Sequence, residues 1–217
     1  GDAITDADFN VAVGYAALSA DTLGSNSTAI GWSALAAQNF STATLSYNTA
    51  VGFKAGLSVT SGVQNTLVGG LSGDALTQGA RNTAFGYATL TSDTLGQYAV
   101  AIGYGALNEQ NFTTATNNYN VAIGYLAGET VSTAVQNTLV GGLVGDALTT
   151  GGENSAFGYA ALSSETTGTS NTALGNLSLL SQNGATANTA VGYNSGRSIT
   201  TGTKNVIMGT FAGDALT

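Results

Sequence analysis

Hydrophobic and polar residues alternate along this chain in one short pattern that returns about every 17 residues. The pattern is Asn, Thr, Ala, an apolar residue and Gly, as in Asn48–Gly52, and an aromatic residue usually follows. It occurs twelve times, and two of the intervals are 21 residues long instead of 17. Alternation with a period of two predicts a short β-strand, and no apolar period of 3.6 residues indicates a helix. The sequence therefore predicts an all-β, parallel β-solenoid (a β-roll) of twelve coils.

We number the positions of each coil from its Asn, which is position 0, so that the strand covers positions 1 to 3. Because side chains alternate between the two faces of a strand, we expect positions 1 and 3 to face the interior and positions 2 and 4 to form a flat outer face. Position 4 is always Gly and is predicted to be structural. This column contains Gly14, Gly31, Gly52, Gly69, Gly86, Gly103, Gly124, Gly141, Gly158, Gly175, Gly192 and Gly209.

Two further columns have predicted structural roles. At position 0, stacked Asn side chains are expected to bond to one another along the solenoid. At position 5, eight coils have an aromatic residue. We expect these rings to pack in the core or between chains, and the alternative is an exposed ladder.

A slower period is superimposed on the coils, because position 8 is Leu in two successive coils and Gly in the next two. It divides one repetitive region into three blocks of four coils, residues 1–72, 73–144 and 145–217. In the fourth coil of each block, position 2 is enlarged to Leu67, Leu139 or Ile207, and position 5 loses its aromatic residue. This exchange indicates that positions 2 and 5 share a packing volume.

Composition excludes several classes of function. The 217 residues include 4 basic and 12 acidic side chains and no Cys, His or Pro. Without Cys and His there is no disulfide, thiolate or imidazole zinc site, Cys nucleophile or Ser-His-Asp triad. A net charge of −8 disfavours nucleic acid as a partner, and no apolar run is long enough to insert across a membrane.

Carboxylates are the remaining candidates for catalysis or metal binding. Two series recur every four coils, one of Asp74, Asp146 and Asp214 and the other of Asp21, Asp93 and Glu165. At about 4.8 Å per coil, the members of a series lie roughly 19 Å apart, which is too far for a pair of glycosidase carboxylates. We therefore predict solvated surface residues, no enzyme activity and no cofactor. Asp74, Asp146 and Asp214 remain weak candidates for a cation site, because they follow glycine turns.

The two longer coils carry four-residue insertions at equivalent places, within residues 38–44 and 110–116. An excess of four residues is expected to bulge outward. Each insertion has one Phe preceded by Asn, so Phe40, Phe112, Asn39 and Asn111 are candidate contacts with a surface glycan or protein. The alternative is that each Phe folds back to cover the edge of the solenoid.

The motifs NVAVG at Asn10–Gly14 and NVAIG at Asn120–Gly124 resemble the strand motif of the head domains of trimeric autotransporter adhesins. The longer string at Asn82–Leu90, followed by Thr94–Gly96, is similar to repeats of phage tail fibres. The resemblance covers essentially the whole chain, although the coil is longer than the usual adhesin coil. It implies a left-handed β-roll that forms a homotrimer, with the Ala and Gly face at positions 2 and 4 allowing close approach of another chain.

From the repeats and this resemblance we expect a structural and adhesive fibre segment, excised from a longer fibre and located outside the cell, on a cell surface or on a virion. Its partners would be copies of itself and a cell-surface glycan or protein bound by its loops. The alternative is a self-assembling extracellular filament subunit without a dedicated ligand site.

Overall fold

The computed structural model describes residues 1–214, which form sixteen short β-strands and no helix. The predicted parallel β-solenoid of about twelve turns is confirmed. The chain divides into two compact units. The first comprises Gly1–Tyr104 and Asn111–Asn117, and the second comprises Gly105–Gln110 and the chain from Asn118 onward.

The first unit contains ten strands, of which six form one parallel sheet and four form two short parallel pairs. The strands are β1 (Val11–Val13), β2 (Gly24–Ser25), β3 (Thr28–Ile30), β4 (Thr44–Leu45), β5 (Thr49–Val51), β6 (Thr66–Val68), β7 (Thr83–Phe85), β8 (Gly96–Gln97), β9 (Val100–Ile102) and β10 (Thr116–Asn117). The main sheet has the order β1-β3-β5-β6-β7-β9, and the pairs are β2 with β4 and β8 with β10. The pairs join each insertion to the coil before it.

The second unit contains six three-residue strands that pair in chain order. They are β11 (Val121–Ile123), β12 (Thr138–Val140), β13 (Ser155–Phe157), β14 (Thr172–Leu174), β15 (Thr189–Val191) and β16 (Val206–Met208). In both units equal repeat positions are direct partners, as where Ala156 lies opposite Ala173. A constant step of one coil therefore stacks each repeat position into a column.

The interior of the solenoid is lined by position 2, which corrects the predicted assignment of the two strand faces. Ala29, Ala50 and Leu67 at position 2 are fully buried, whereas their neighbours at positions 1 and 3 are partly or largely exposed. The buried Leu side chains of position 8 occupy the same interior, as at Leu35 and Leu90. They leave room at position 2 for a small residue in most coils, and the larger apolar residues of the strand point outward.

The enlarged residues at position 2 fill the space left by glycines at position 8. A Cβ added to Gly56 would lie 2.7 Å from Cδ1 of Leu67, and one added to Gly73 would lie 2.8 Å from its Cδ2. Leu139 stands in the same relation to Gly128, at 2.9 Å. The predicted exchange of volume between positions 2 and 5 is therefore wrong, because position 5 lies on the outside.

The Gly column at position 4 marks a close approach of successive coils. All twelve of these glycines have φ between 119° and 142°, where side chains are disfavoured. A Cβ added to Gly86 would lie 2.5 Å from the carbonyl oxygen of Gly103 in the next coil. Space and backbone conformation both require Gly there.

Three other positions in each coil turn the chain with left-handed residues. Positions −1, 6 and 8 have positive φ even where the residue is not Gly, for example Gln64 at 61°, Lys54 at 56° and Leu35 at 48°. This conformation is uncommon outside Gly and bends the chain sharply. These residues form the corners that close a 17-residue coil.

The Asn column binds mainly to the backbone. The amide nitrogen of Asn65 donates to the carbonyl oxygen of Gly79 at 2.9 Å, and its Oδ1 accepts from the backbone N–H of Asn82 at 3.0 Å. Hydrogen bonds from one Asn side chain to the next are fewer; one joins Asn171 to Asn154 at 3.1 Å. Each buried amide thus ties its coil to the following one, largely through backbone partners instead of the predicted side-chain ladder.

Candidate functional site

The outer face of the sheet is a continuous uncharged surface made by positions 1, 3 and 5. Because position 2 points inward, strand alternation directs positions 1 and 3 to solvent. Position 3 is apolar in every coil, and no charged residue occurs at positions 1, 3 or 5. Val13, Phe85, Leu174 and Met208 are 56%, 55%, 46% and 72% exposed, respectively. This outer face, so defined, is the main candidate for contact with a partner.

The aromatic residues at position 5 form an exposed ladder beside the outer face. The rings of Tyr15 and Trp32 stack with centroids 6.0 Å apart, those of Trp32 and Phe53 at 5.2 Å, and those of Tyr87 and Tyr104 at 5.7 Å. All eight aromatic residues of this column are exposed. Packing in the core of the chain is therefore wrong for these rings, and contact with another chain stays a prediction.

The Phe residues of the two insertions are turned inward. Phe40 is 6% exposed and Phe112 is 5% exposed, so the expectation of protruding rings is corrected. The Phe40 ring covers Gly24 of the preceding coil, since a Cβ added to Gly24 would lie 2.7 Å from the ring atom Cδ2. Removal of this apolar surface from water explains the inward position. The alternative, in which Phe covers the solenoid, describes the observed arrangement.

The Asn residues of the insertions are exposed. Oδ1 of Asn39 accepts a hydrogen bond from the Thr22 hydroxyl at 2.9 Å, and Oδ1 of Asn111 accepts one from the Thr94 hydroxyl at 3.3 Å. Three further exposed residues follow each Phe, at 41–43 and 113–115. A role of Asn39 and Asn111 in ligand contact stays a prediction, and the accessible part of each loop is small and polar.

The weak cation candidates do not converge into a site. Burial raises the pKa of Asp74 and Asp146, and Oδ1 of each is buried without a hydrogen-bond partner. Asp214 is exposed, and its Oδ1 accepts from the Ser198 hydroxyl at 3.3 Å. Within residues 1–214, no group of three or more acidic residues is placed to hold a metal ion.

The second acidic series is buried, which the sequence analysis missed. Asp21, Asp93 and Glu165 are fully buried at position 11, where solvated residues were expected. Gln38, Gln110 and Gln182 occupy position 11 of the following coils and are also fully buried. The recurring acid–Gln pair at one repeat position was the available signal, since the next two coils have Val and Leu there in the first two blocks.

Residues 1–214 contain no pocket and no helix that could cross a membrane. Comparison with protein-family models, with curated proteins and with solved structures finds no match for this chain. The outer face and the insertion loops are consequently the features on which a function has to be based.

Proposed function

We propose that this chain is a structural segment of an extracellular fibre that assembles with copies of itself through its outer face. The observation that carries the proposal is the exposed apolar column at position 3, which continues from strand to strand in each unit. Water-soluble chains rarely leave so extended an apolar surface open, because burial contributes about 25 cal/mol per Å². The outer face is therefore expected to be covered by a partner.

A second copy of the chain is well suited to cover this face. The face has no charged side chains, so copies that each carry a net charge of −8 can approach there with the least repulsion. Parallel copies in register would also bring like rows together in every coil, because all rows have the same spacing. We adopt the homotrimer as the closed cyclic arrangement, in agreement with the resemblance to trimeric adhesin heads.

The proposed contact differs from the one expected from the sequence. Ala residues at position 2 were expected to admit another chain, but they lie inside the solenoid. Positions 1, 3 and 5 take over this role in the proposal, with Phe85 and Phe157 among the largest side chains available.

Charged substitutions on the outer face test the proposal. The unchanged protein is expected to have three times the chain mass of 21.4 kDa in sedimentation or native mass spectrometry. Phe85→Glu with Phe157→Glu should reduce the mass to that of one chain, because two buried charges in each copy would lack partners. The exposed Thr169→Glu, away from the outer face, is the matched control and should leave the mass unchanged. A monomeric unchanged protein at micromolar concentration would contradict self-assembly, and an open polymer would favour the filament alternative.

The insertion loops are the proposed points of attachment to a surface glycan or protein. Their exposed Asn39 and Asn111 recur at the same place in two blocks. A glycan array probed with the fluorescently labelled protein should give signals that Asn39→Ala with Asn111→Ala abolishes, while Asn183→Ala, at the same position in the coil without an insertion, preserves them. Signals that survive the loop substitutions would place attachment elsewhere on the segment.

A further inference from the structure

Position 11 alternates between polar and apolar residues in the solenoid interior. Asp21 and Gln38 are followed by Val59 and Leu76, and all four are fully or almost fully buried. A buried carboxylate destabilises a fold unless hydrogen bonds replace its hydration. Its return in every block therefore requires a structural reason that an apolar residue does not satisfy.

In the first block, the acid holds the turn that leads into its own strand pair. Oδ1 of Asp21 accepts from the backbone N–H of Gly24 at 3.0 Å, and Oδ2 accepts from Nε2 of Gln38 at 2.6 Å. Oε1 of Gln38 accepts in turn from the side chain of Asn48 at 2.8 Å. The acid is thereby connected to the Asn column of the next coil.

In the third block, Glu replaces Asp, and its longer side chain reaches one residue that the solenoid otherwise treats differently. Oε1 of Glu165 accepts from the backbone N–H groups of Gly168 at 2.6 Å and of Gly184 at 2.7 Å. Oε2 accepts from Nε2 of Gln182 at 2.9 Å. Gly184 is at position 13 of a coil that has no insertion.

Position 13 is Phe in the two coils with insertions and Gly in this coil. The backbone N–H of Phe112 donates to Oδ1 of Asp93 at 3.1 Å, so the acid binds the same backbone group in both kinds of coil. The side chains share one volume. A Cβ added to Gly24 would meet Phe40 at 2.7 Å and Asp21 at 2.5 Å, whereas one added to Gly168 would meet Glu165 alone among side chains, at 2.5 Å.

We propose that the buried acid at position 11 is a positioning residue that fixes the backbone at position 13, and that its length selects the type of coil that follows. Asp with Phe accommodates the four-residue insertion, and Glu with Gly closes the 17-residue coil without one. The insertion loop is thus docked by a buried acid and a ring that together fill the volume of one longer acid. This inference is independent of the proposed function.

A double-mutant cycle on the first block tests the shared volume. Asp21→Glu should lower the melting temperature while Phe40 is present, because the longer acid would overlap the ring. In the Phe40→Ala background the same substitution should raise the melting temperature, because the longer acid then fills the cavity. Equal changes in the two backgrounds would overturn the proposal. Val59→Ile is the matched control for an added methylene at position 11 and should not reverse sign.

Hydrogen exchange in the third block tests positioning separately from stability. Glu165→Asp should increase the exchange rate of the Gly184 amide by about tenfold or more, because its hydrogen bond to the carboxylate is lost. The amide of Asn188, which donates to Oδ1 of Asn171 at 3.0 Å, should keep its rate. Equal acceleration at both amides would reduce the acid to a general contribution to stability and overturn the positioning role. The two tests use different units, so either one decides if the other variant does not fold.

Discussion

Single backbone positions decide where this chain can turn and where its coils can touch. Glycine is indispensable where a neighbouring coil approaches, and the adjacent residue in the same turn has no such restriction. Gly141 has φ of 141° and faces the backbone of Gly158, whereas a Cβ added to Gly142 would lie 3.7 Å from its nearest neighbour, in Tyr159. Two consecutive glycines therefore have different reasons to be present.

Gly141→Ala is expected to lower the free energy of unfolding by about 3 kcal/mol or more, because backbone strain and overpacking add. Gly142→Ala is the control and should change it by less than about 0.5 kcal/mol. Urea denaturation followed by circular dichroism measures both. A similar loss in the two variants would contradict the close contact of the Gly column.

The acids at Asp74 and Asp146 give stability a specific dependence on pH. Burial raises the pKa of both carboxyl groups in the folded chain above the ordinary value of 3.8. The folded chain then binds protons more tightly than the unfolded chain, so ionisation of these groups lowers stability as pH rises through the folded pKa. This cost is present at neutral pH and absent below the ordinary value.

Asp74→Asn with Asp146→Asn is therefore expected to raise the melting temperature at pH 7 and to lose this advantage as the pH falls toward 3.8. Differential scanning calorimetry across this range measures the effect. The exposed Asp6→Asn should show no comparable gain at pH 7. A gain that persists unchanged at the acidic end would have a cause other than ionisation.

At the scale of the coil, packing follows a rule that spans two or three neighbouring turns. A large residue at position 2 requires glycine at position 8 in its own coil and in the coil before. Leu139 occupies the space above Gly128 and Gly145, where added Cβ atoms would lie 2.9 Å and 3.1 Å from it. Core volume is thus conserved along the stack and not within each coil.

Leu139→Ala is expected to lower the free energy of unfolding by about 2–5 kcal/mol, because a fully buried side chain leaves a cavity. Gly128→Ala alone should also be destabilising, since its Cβ would overlap Leu139. In the Leu139→Ala background, Gly128→Ala should cost less than it does alone. Chemical denaturation of the four proteins of this cycle checks the coupling, and strictly additive changes would show that the two sites do not share space.

The sequence predicted the number, spacing and pairing direction of the strands, because columns of Asn and Gly repeat without interruption. It did not predict which strand face is inside. Alternation distinguishes two faces but does not identify the core when one face is Ala and Gly and the other is Val, Ile and Phe. The interior side chains at positions 8 and 11, such as Leu35 and Asp21, come from turns without periodicity. Phe40 was likewise misplaced because its burial depends on the acid in the preceding coil.

For the whole molecule, the balance between an uncharged face and a negative remainder governs association. The chain has a net charge of −8, and none of its charged residues lies at positions 1, 3 or 5. Association through the outer face would bring these negative charges closer while burying apolar surface. Repulsion between copies is screened by salt over about 10 Å at 0.1 M ionic strength.

Raising the ionic strength from about 0.01 to 0.15 M is therefore expected to strengthen self-association of the protein. Sedimentation velocity at a series of protein concentrations measures the change. Dissociation on addition of salt would indicate that ion pairs, and not the uncharged outer face, hold the copies together.

The fixed step between partner strands also has a consequence for biosynthesis. Ala156 pairs with Ala173, and Ala173 pairs with Ala190, so each strand finds its partner 17 residues away along the chain. A nascent chain can therefore add each coil to the preceding one soon after it leaves the ribosome, without waiting for distant segments. Within each unit the order of translation is also the order of strands in the sheet, and a partly synthesised solenoid exposes a growing end that the next coil covers.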